Sequence, residues 1–229
     1  MRPLAQQTNK SSAEYAYATL RRRILNKEFQ PGEHLPEIAI AQQLHISRTP
    51  VREAFRWLAN EGLIGIFPNE GASIVNPSRQ ERADTIEVRA YLEVLSFRKA
   101  IHRITPVQLC MLDEEIAKEE AIFATRDLDR YLDVNTRFHK IIARASGNVA
   151  LCELVENLLS RSFIYMVLFE SFLDFDTNPS LDEHRELVRL LREKREEEGV
   201  ALLQRHILGN GGYGGDLSLP DATESVSRP

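Results

Sequence analysis

This 229-residue sequence predicts a mainly α-helical protein in two parts: a small N-terminal domain of short helices closed by a β-hairpin, then a larger antiparallel all-helical bundle. Three observations predict it. Helix formers at helical spacing run through most of the chain, and β-rich runs occur only between residues 63 and 75. Asn76-Pro77-Ser78 reads as a linker, after which no strand signal follows. The charge also divides there: nine Lys and Arg against seven Asp and Glu up to Ser78 leave +2, whereas twenty against twenty-seven beyond it leave −7. The total of −5 therefore hides a basic N-terminal part and does not exclude a polyanionic partner.

The chain is long enough for two domains that each bury a core. Cys110 and Cys152 have no CxxC neighbour and read as reduced thiols of a cytoplasmic protein. No run approaches the roughly 18 to 20 apolar residues of a membrane span, and the N-terminus lacks the apolar stretch of a signal peptide. A soluble protein without a membrane partner is expected. The boundaries expected are a loose segment over 1–12, a first domain over 13–76, a helical domain over 77–208, and a Gly-, Ser- and Pro-rich disordered tail over 209–229.

Residues 13 to 27 form the first expected helix, with Tyr17, Leu20 and Ile24 on one face, and Pro31-Gly32 ends the turn that follows. A short second helix runs from Pro36 and Glu37 to Leu44, with Ile38, Ala41 and Leu44 as its buried side. His45-Ile46-Ser47 connects it to a third. Ser47 is suited to the N-cap, and Pro50 is tolerated in the first turn, where a missing N–H costs little. Val51, Phe55, Leu58 and Ala59 supply the apolar stripe. Arg48, Thr49 and Arg52 fall off that stripe at the exposed end, where guanidiniums and a hydroxyl suit phosphate oxygens and guanine edges. Asn60-Glu61-Gly62 stops the helix. Runs at 63–67 and 72–75, separated by Pro68-Asn69-Glu70-Gly71, form a hairpin. Two short helices, a tight connection, a basic helix front and a hairpin make a winged helix-turn-helix.

Pro31-Gly32, Leu35-Pro36-Glu37, Ser47 to Ala54, Glu61-Gly62-Leu63 and Gly71-Ala72 with Val75 resemble the DNA-binding signature of the GntR family of bacterial transcriptional regulators, over roughly residues 13 to 76. The resemblance implies that Ser47, Arg48, Thr49, Pro50 and Arg52 enter the major groove of an operator, and that the wing tip, Asn69 and the Gly71 backbone, approaches the minor groove. Glu70 stands where a basic residue often precedes the wing glycine, and its charge would repel phosphate.

Beyond the linker, helices are expected over 87–100, with Val88, Tyr91, Leu92, Leu95 and Phe97 as apolar positions, over 106–124 behind Thr105, over 128–145, and over 150–169. A loop over 174–180 precedes a helical hairpin, 182–191 and 200–207, with a solvated turn between its arms. Trp57, Phe163, Tyr165 and Phe169 read as core residues, and His34, His45 and His102 as structural or exposed ones. Asn135 and His139, four apart, share one helix face, and folding the hairpin brings His184 level with His206. Three imidazoles and a side-chain oxygen form a ligand set suited to Zn, Ni, Mn or Fe. Asp133 points to another face.

Asn135-Thr136-Arg137-Phe138-His139, Ser146-Gly147-Asn148, Glu183-His184 and His206 resemble the FCD ligand-binding domain of FadR-like GntR regulators. The resemblance implies a divalent metal held at these positions and a small carboxylate effector that completes its coordination. Arg89 and Glu93 match an Arg-x-x-x-Glu element of such domains; Arg89 is then either an effector clamp or half of a surface ion pair. The reading that results is a homodimeric transcriptional regulator, a repressor by the commoner family behaviour, on a pseudo-palindromic double-stranded operator, controlled by a carboxylate. Two alternatives stay open: a metal-dependent hydrolase using the three histidines, and a DNA-binding protein whose metal is purely structural.

Overall fold

The computed structural model describes residues 11–68, 70–169, 178 and 180–209. Of the segments and residues singled out in the sequence, the stretch before Ser11, Asn69, most of the loop before Ser180, and the tail after Gly209 lie outside the described residues. The chain divides after Asn76 into two units.

In the first unit, α1 (Ser12–Leu25) starts in a capping box: the Ser11 hydroxyl accepts the Glu14 N–H while Glu14 reaches back to the Ser11 N–H. Its Ala13, Ala16, Leu20 and Ile24 are buried, and it packs on α3 (Arg48–Glu61), which buries Val51, Ala54, Phe55 and Leu58. Between them, α2 (Glu37–Leu44) buries Ile40, Ala41 and Leu44. Ile38, expected on that side, is 56% exposed. It stands two residues from Ile40, a little over half a turn, and so faces away. His45 closes α2 in the left-handed region, φ 55°, which makes the connection to α3 short. Trp57, expected in the core, is exposed and meets the edge of the Tyr17 ring.

The hairpin strands are β2 (Ile64–Phe67) and β3 (Gly71–Ile74), entered through Gly62 at φ 83°. A strand the sequence did not suggest, β1 (His34–Leu35), joins them in the order β1-β3-β2, all antiparallel, with Leu35 opposite Ala72 and Ile66 opposite Ala72 from the other side. Two residues are too few to show an alternation, and the ladder with β3 makes them a strand.

The second unit is an all-helical bundle. Its first helix, α4 (Arg79–Ala100), begins eight residues before the expected start, because Ser78 and Glu81 form a second capping box ahead of a polar first turn. Its buried face is also a correction. Val88, Tyr91 and Leu95, expected inside, are 48%, 43% and 42% exposed, while Ile86, Arg89, Ala90, Glu93, Ser96 and Phe97 point inward. Arg89 and Glu93 can be buried because each is the other's counter-ion.

α5 (Pro106–Phe123) starts behind a Thr105/Gln108 capping box, α6 (Leu128–Ala145) behind Asp127, and α7 (Val149–Phe169) follows the tight Ser146-Gly147-Asn148 turn. α8 (Leu181–Glu193) and α9 (Glu196–Gly209) are each longer than expected, and Lys194 turns the chain between them at φ 55°. α4 packs on α6, α7 and α9, α5 on α6 and α8, and α8 on α9. The core between them is built from Phe97, Leu112, Phe138, Leu187, Leu191 and Leu203 with their neighbours.

Candidate functional site

Three histidines from three helices meet inside the bundle. His139 comes from α6, His184 from α8 and His206 from α9, and all are buried. The His184 and His206 Nε2 atoms lie 3.2 Å apart, and those of His206 and His139 3.3 Å apart. The outward nitrogen of each ring is held by a glutamate. His139 Nδ1 is 2.6 Å from Glu93 of α4, His184 Nδ1 is 2.7 Å from Glu119 of α5, and His206 Nδ1 is 2.8 Å from Glu183 of α8.

These glutamates fix the tautomers. Burial pushes the Glu93 carboxyl up, but His139 and Arg89 outweigh it and hold it below the usual carboxylate range. Burial is likewise outweighed at Glu119 by His184, Asn178 and Tyr131. An ionised carboxylate only accepts, so each facing Nδ1 carries the proton. Burial also pushes the imidazoles down, His139 below its ordinary value against the pull of Glu93, and His206 to about 3. The His139 and His206 rings are therefore neutral, and the Nε2 atoms of all three histidines face one another. Such a convergence could hold a shared cation. Bond lengths of about 2.0 to 2.1 Å to a common ion put ligand nitrogens roughly 2.8 to 3.0 Å apart in octahedral and roughly 3.3 to 3.4 Å apart in tetrahedral geometry, and the separations of 3.2 and 3.3 Å lie close to the tetrahedral values.

Asn135 offers the fourth donor. It is 4% exposed, one helical turn before His139, and its Oδ1 accepts no hydrogen bond. Its Nδ2 makes one long contact, 3.4 Å to the Tyr131 hydroxyl. An orphaned buried carboxamide oxygen beside three convergent imidazoles fits a metal centre. Asp133 is exposed, as expected of a residue on another face.

Arg89 is not half of a surface pair. Its Nε donates to Glu93 at 2.5 Å, its Nη1 donates to the Ser162 hydroxyl at 3.3 Å, and its guanidinium lies over the Phe163 ring. Because Glu93 also holds His139, one carboxylate joins the guanidinium to the histidine cluster. The glutamates were missed in the sequence. Glu93 had its i to i+4 relation to Arg89 and Glu183 its place beside His184, though neither was read as holding a histidine; Glu119 sits in a run of acidic residues that reads as a solvated face.

In the first unit, α3 begins at Arg48 with Ser47 in extended backbone at the N-cap, but the Ser47 side chain makes no capping hydrogen bond. Arg48, Thr49 and Arg52 are exposed and Pro50 is half-buried, all in the first two turns. Gly71 opens β3 at φ 86°. The backbone thus presents the basic helix front expected of a DNA reader.

The family described as bacterial regulatory proteins, gntR family, matches residues 12–74, and the FCD domain matches residues 84–209, more than half the chain. The chain belongs to the GntR family, in the branch that carries an FCD domain. It is similar to the uncharacterised HTH-type transcriptional regulator YdhC of Bacillus subtilis strain 168, 26% identical over 85% of either chain. It is 28% identical to the transcriptional repressor RspR of Escherichia coli K12, over 80% of each. Among solved structures, a GntR regulator from Rhodococcus sp. RHA1 superposes with a TM-score of 0.68 over 91% of this chain and all of that one, at 21% identity. E. coli McbR/YncC superposes with a TM-score of 0.66 over 88% and 95%, at 24% identity. This GntR-family chain is thus a DNA-binding transcriptional regulator with an effector domain. The hydrolase alternative is set aside, since both families and the relatives are regulators and not enzymes. Among the described residues, no helix is long and apolar enough to cross a membrane.

Proposed function

We propose that this GntR-family regulator is a cytoplasmic homodimeric repressor whose affinity for a pseudo-palindromic operator is set by a small carboxylate bound at a metal centre in the FCD domain. The observation that carries the reading is the convergence of three Nε2 atoms, with the unsatisfied Asn135 oxygen one helical turn before His139. Asn135, His139, His184 and His206 would hold a divalent ion, Zn, Ni, Mn or Fe by ligand type. When bound, that ion supplies a Lewis-acidic positive charge that attracts a carboxylate.

The residues of the chain do the rest. All four donors are neutral, so no ligand cancels the charge that recruits an anion. Glu93, Glu119 and Glu183 fix ring orientation through Nδ1, which raises the basicity of each Nε2. The Glu93 and Ser162 contacts use two of the five N–H donors of Arg89, which leaves a fixed guanidinium able to receive one oxygen of an effector. A ligand that shifts Arg89 also shifts Glu93 and so His139. Coupling of about 2 to 3 kcal/mol between effector and DNA would change operator affinity roughly 30- to 150-fold.

At the DNA, Ser47, Arg48, Thr49, Pro50 and Arg52 are the proposed major-groove contacts, and Asn69 with Gly71 the wing contacts. The exposed stripe Val88, Tyr91 and Leu95 on α4, at i, i+3 and i+7, supports a second copy as the partner, since a two-fold operator needs an isologous dimer.

The test is selection of bound duplexes from a randomised pool with the purified chain, followed by binding at fixed salt with added mono- and dicarboxylic acids, with and without prior removal of metal. A two-fold-symmetric site whose affinity moves with one carboxylate, only in the metal-loaded chain, is the expected result. A metal whose removal unfolds the bundle while no carboxylate changes DNA binding would leave a structural metal instead.

A further inference from the structure

Arg48 and Arg52 do not extend freely from α3. Both are turned onto one oxygen of Glu37, the first residue of α2: Arg52 Nε donates to its Oε2 at 2.8 Å and Arg48 Nη2 to the same Oε2 at 3.1 Å. The guanidiniums keep more than half of their side-chain surface exposed, 53% and 55%, whereas Glu37 is tucked behind them at 28%. Two like charges at i and i+4 on one helix repel, and the shared carboxylate removes that repulsion while fixing two long side chains in one arrangement. The carboxyl is held below its ordinary range: slight burial pushes it up, and the hydrogen bonds from Arg52 and Arg48 outweigh it.

We propose that Glu37 is a positioning residue for DNA recognition, holding Arg48 and Arg52 side by side for base edges and withholding net positive charge from phosphates, so that it sets sequence preference rather than overall affinity. The inference rests on the reading of Arg48 and Arg52 as DNA contacts. A carboxylate on the DNA face weakens every complex through phosphate repulsion, but only the specific complex gains from arginines already oriented. Removing the charge should therefore strengthen non-specific binding, and for the specific complex this gain should be offset by the freedom returned to the arginines.

The test uses the full chain, Glu37→Gln and Glu37→Asp, with fluorescence anisotropy on a duplex selected by the wild-type chain from a randomised pool and on a scrambled duplex of equal composition, across a range of KCl. For Glu37→Gln the scrambled duplex should bind about fivefold tighter, with its salt dependence steeper by about one counterion. The selected duplex should change by less than about twofold, so the preference falls about fivefold. Glu37→Asp keeps the charge but falls short of the arginines; it should leave scrambled binding unchanged and weaken the selected duplex by about fivefold. A merely structural role would shift the melting temperature and leave the ratio of the two affinities alone. An unchanged ratio in both variants overturns the proposal. If the wild-type chain prefers no sequence, or if Arg48→Ala and Arg52→Ala bind both duplexes as the wild type does, the DNA-contact reading itself fails and takes the proposal with it.

Discussion

Asn135→Leu separates a metal ligand from a structural residue, because the two roles predict opposite signs. In the metal-free chain Asn135 is a liability. Its Oδ1 is buried without a partner, and its Nδ2 contact to Tyr131, at 3.4 Å, is too long to return much. An unsatisfied buried acceptor costs about 1 to 3 kcal/mol, and leucine keeps the same branching and number of side-chain heavy atoms without it. Tyr131 does not lose its last partner, since its hydroxyl also meets Glu119 at 3.3 Å and Asn178 at 3.2 Å. The variant should therefore unfold about 1 to 2 kcal/mol harder than the wild type in chelator, a rise of roughly 3 to 8 °C in Tm for a domain of this size. With zinc present the order should reverse. One donor of four is gone, affinity drops, and the stabilisation that a ligand gives at about a thousandfold excess over its Kd, about 4 kcal/mol, shrinks with it. Thermal melts in EDTA and in zinc, with a chromophoric chelator titration for affinity, read both halves. Destabilisation of the metal-free chain by more than about 1 kcal/mol, or zinc affinity within threefold of the wild type, would refute the assignment of Asn135 as a poised ligand.

Glu119→Gln should lower metal affinity about 10- to 100-fold with His184 still in place, as measured by chelator competition, because it removes the carboxylate that orients His184. Gly199→Ala should destabilise the bundle by about 1 to 3 kcal/mol in urea unfolding, although alanine is the better helix former: its Cβ would run into the Phe97 ring, which is fully buried where α4 meets α9. Ser78→Ala should cost about 1 kcal/mol and lower Tm by a few degrees, since it removes the hydroxyl that accepts the Glu81 N–H, while the bond from the Ser78 backbone N–H to the Glu81 carboxylate can remain. Arg48→Ala should weaken a selected operator by about 1 to 3 kcal/mol in anisotropy titrations and relax its sequence preference.

Much of the secondary structure was legible because its signals are local. Residues 128 to 145 matched α6 at both ends, because Asp127 and the Ser146-Gly147 turn bracket an apolar stripe of strong period. The start of α4 was missed although Ser78-x-x-Glu81 stands in the sequence, because the first turn of that helix holds no apolar residue. Its buried face was misread for a related reason. Apolarity is a guide to burial only where polar groups remain in water, and α4 turns Arg89 and Glu93 inward while Val88, Tyr91 and Leu95 stay out. Strand β1 depends wholly on its ladder to β3 and has no local signal.

The candidate site divides in the same way. Asn135, His139, His184 and His206 could be picked out because imidazoles are rare and their spacing can be tested against helix geometry. Glutamates are common on helix surfaces, so Glu119 carries no mark that distinguishes it from its neighbours, and Glu183 stands out only by its place beside His184. Yet these carboxylates give the histidines their chemistry. Without Glu93, Glu119 and Glu183, each ring could place its proton on Nε2, and the three could hydrogen-bond with one another as an ordinary buried cluster. With them, the protons are committed to Nδ1 and three lone pairs are forced together. Burying Glu119, and Glu93 beyond what its Arg89 partner offsets, is a desolvation cost that apolar residues would avoid. Such a cost is intelligible where a cation repays it, so the second layer argues for a metal more strongly than the histidines do.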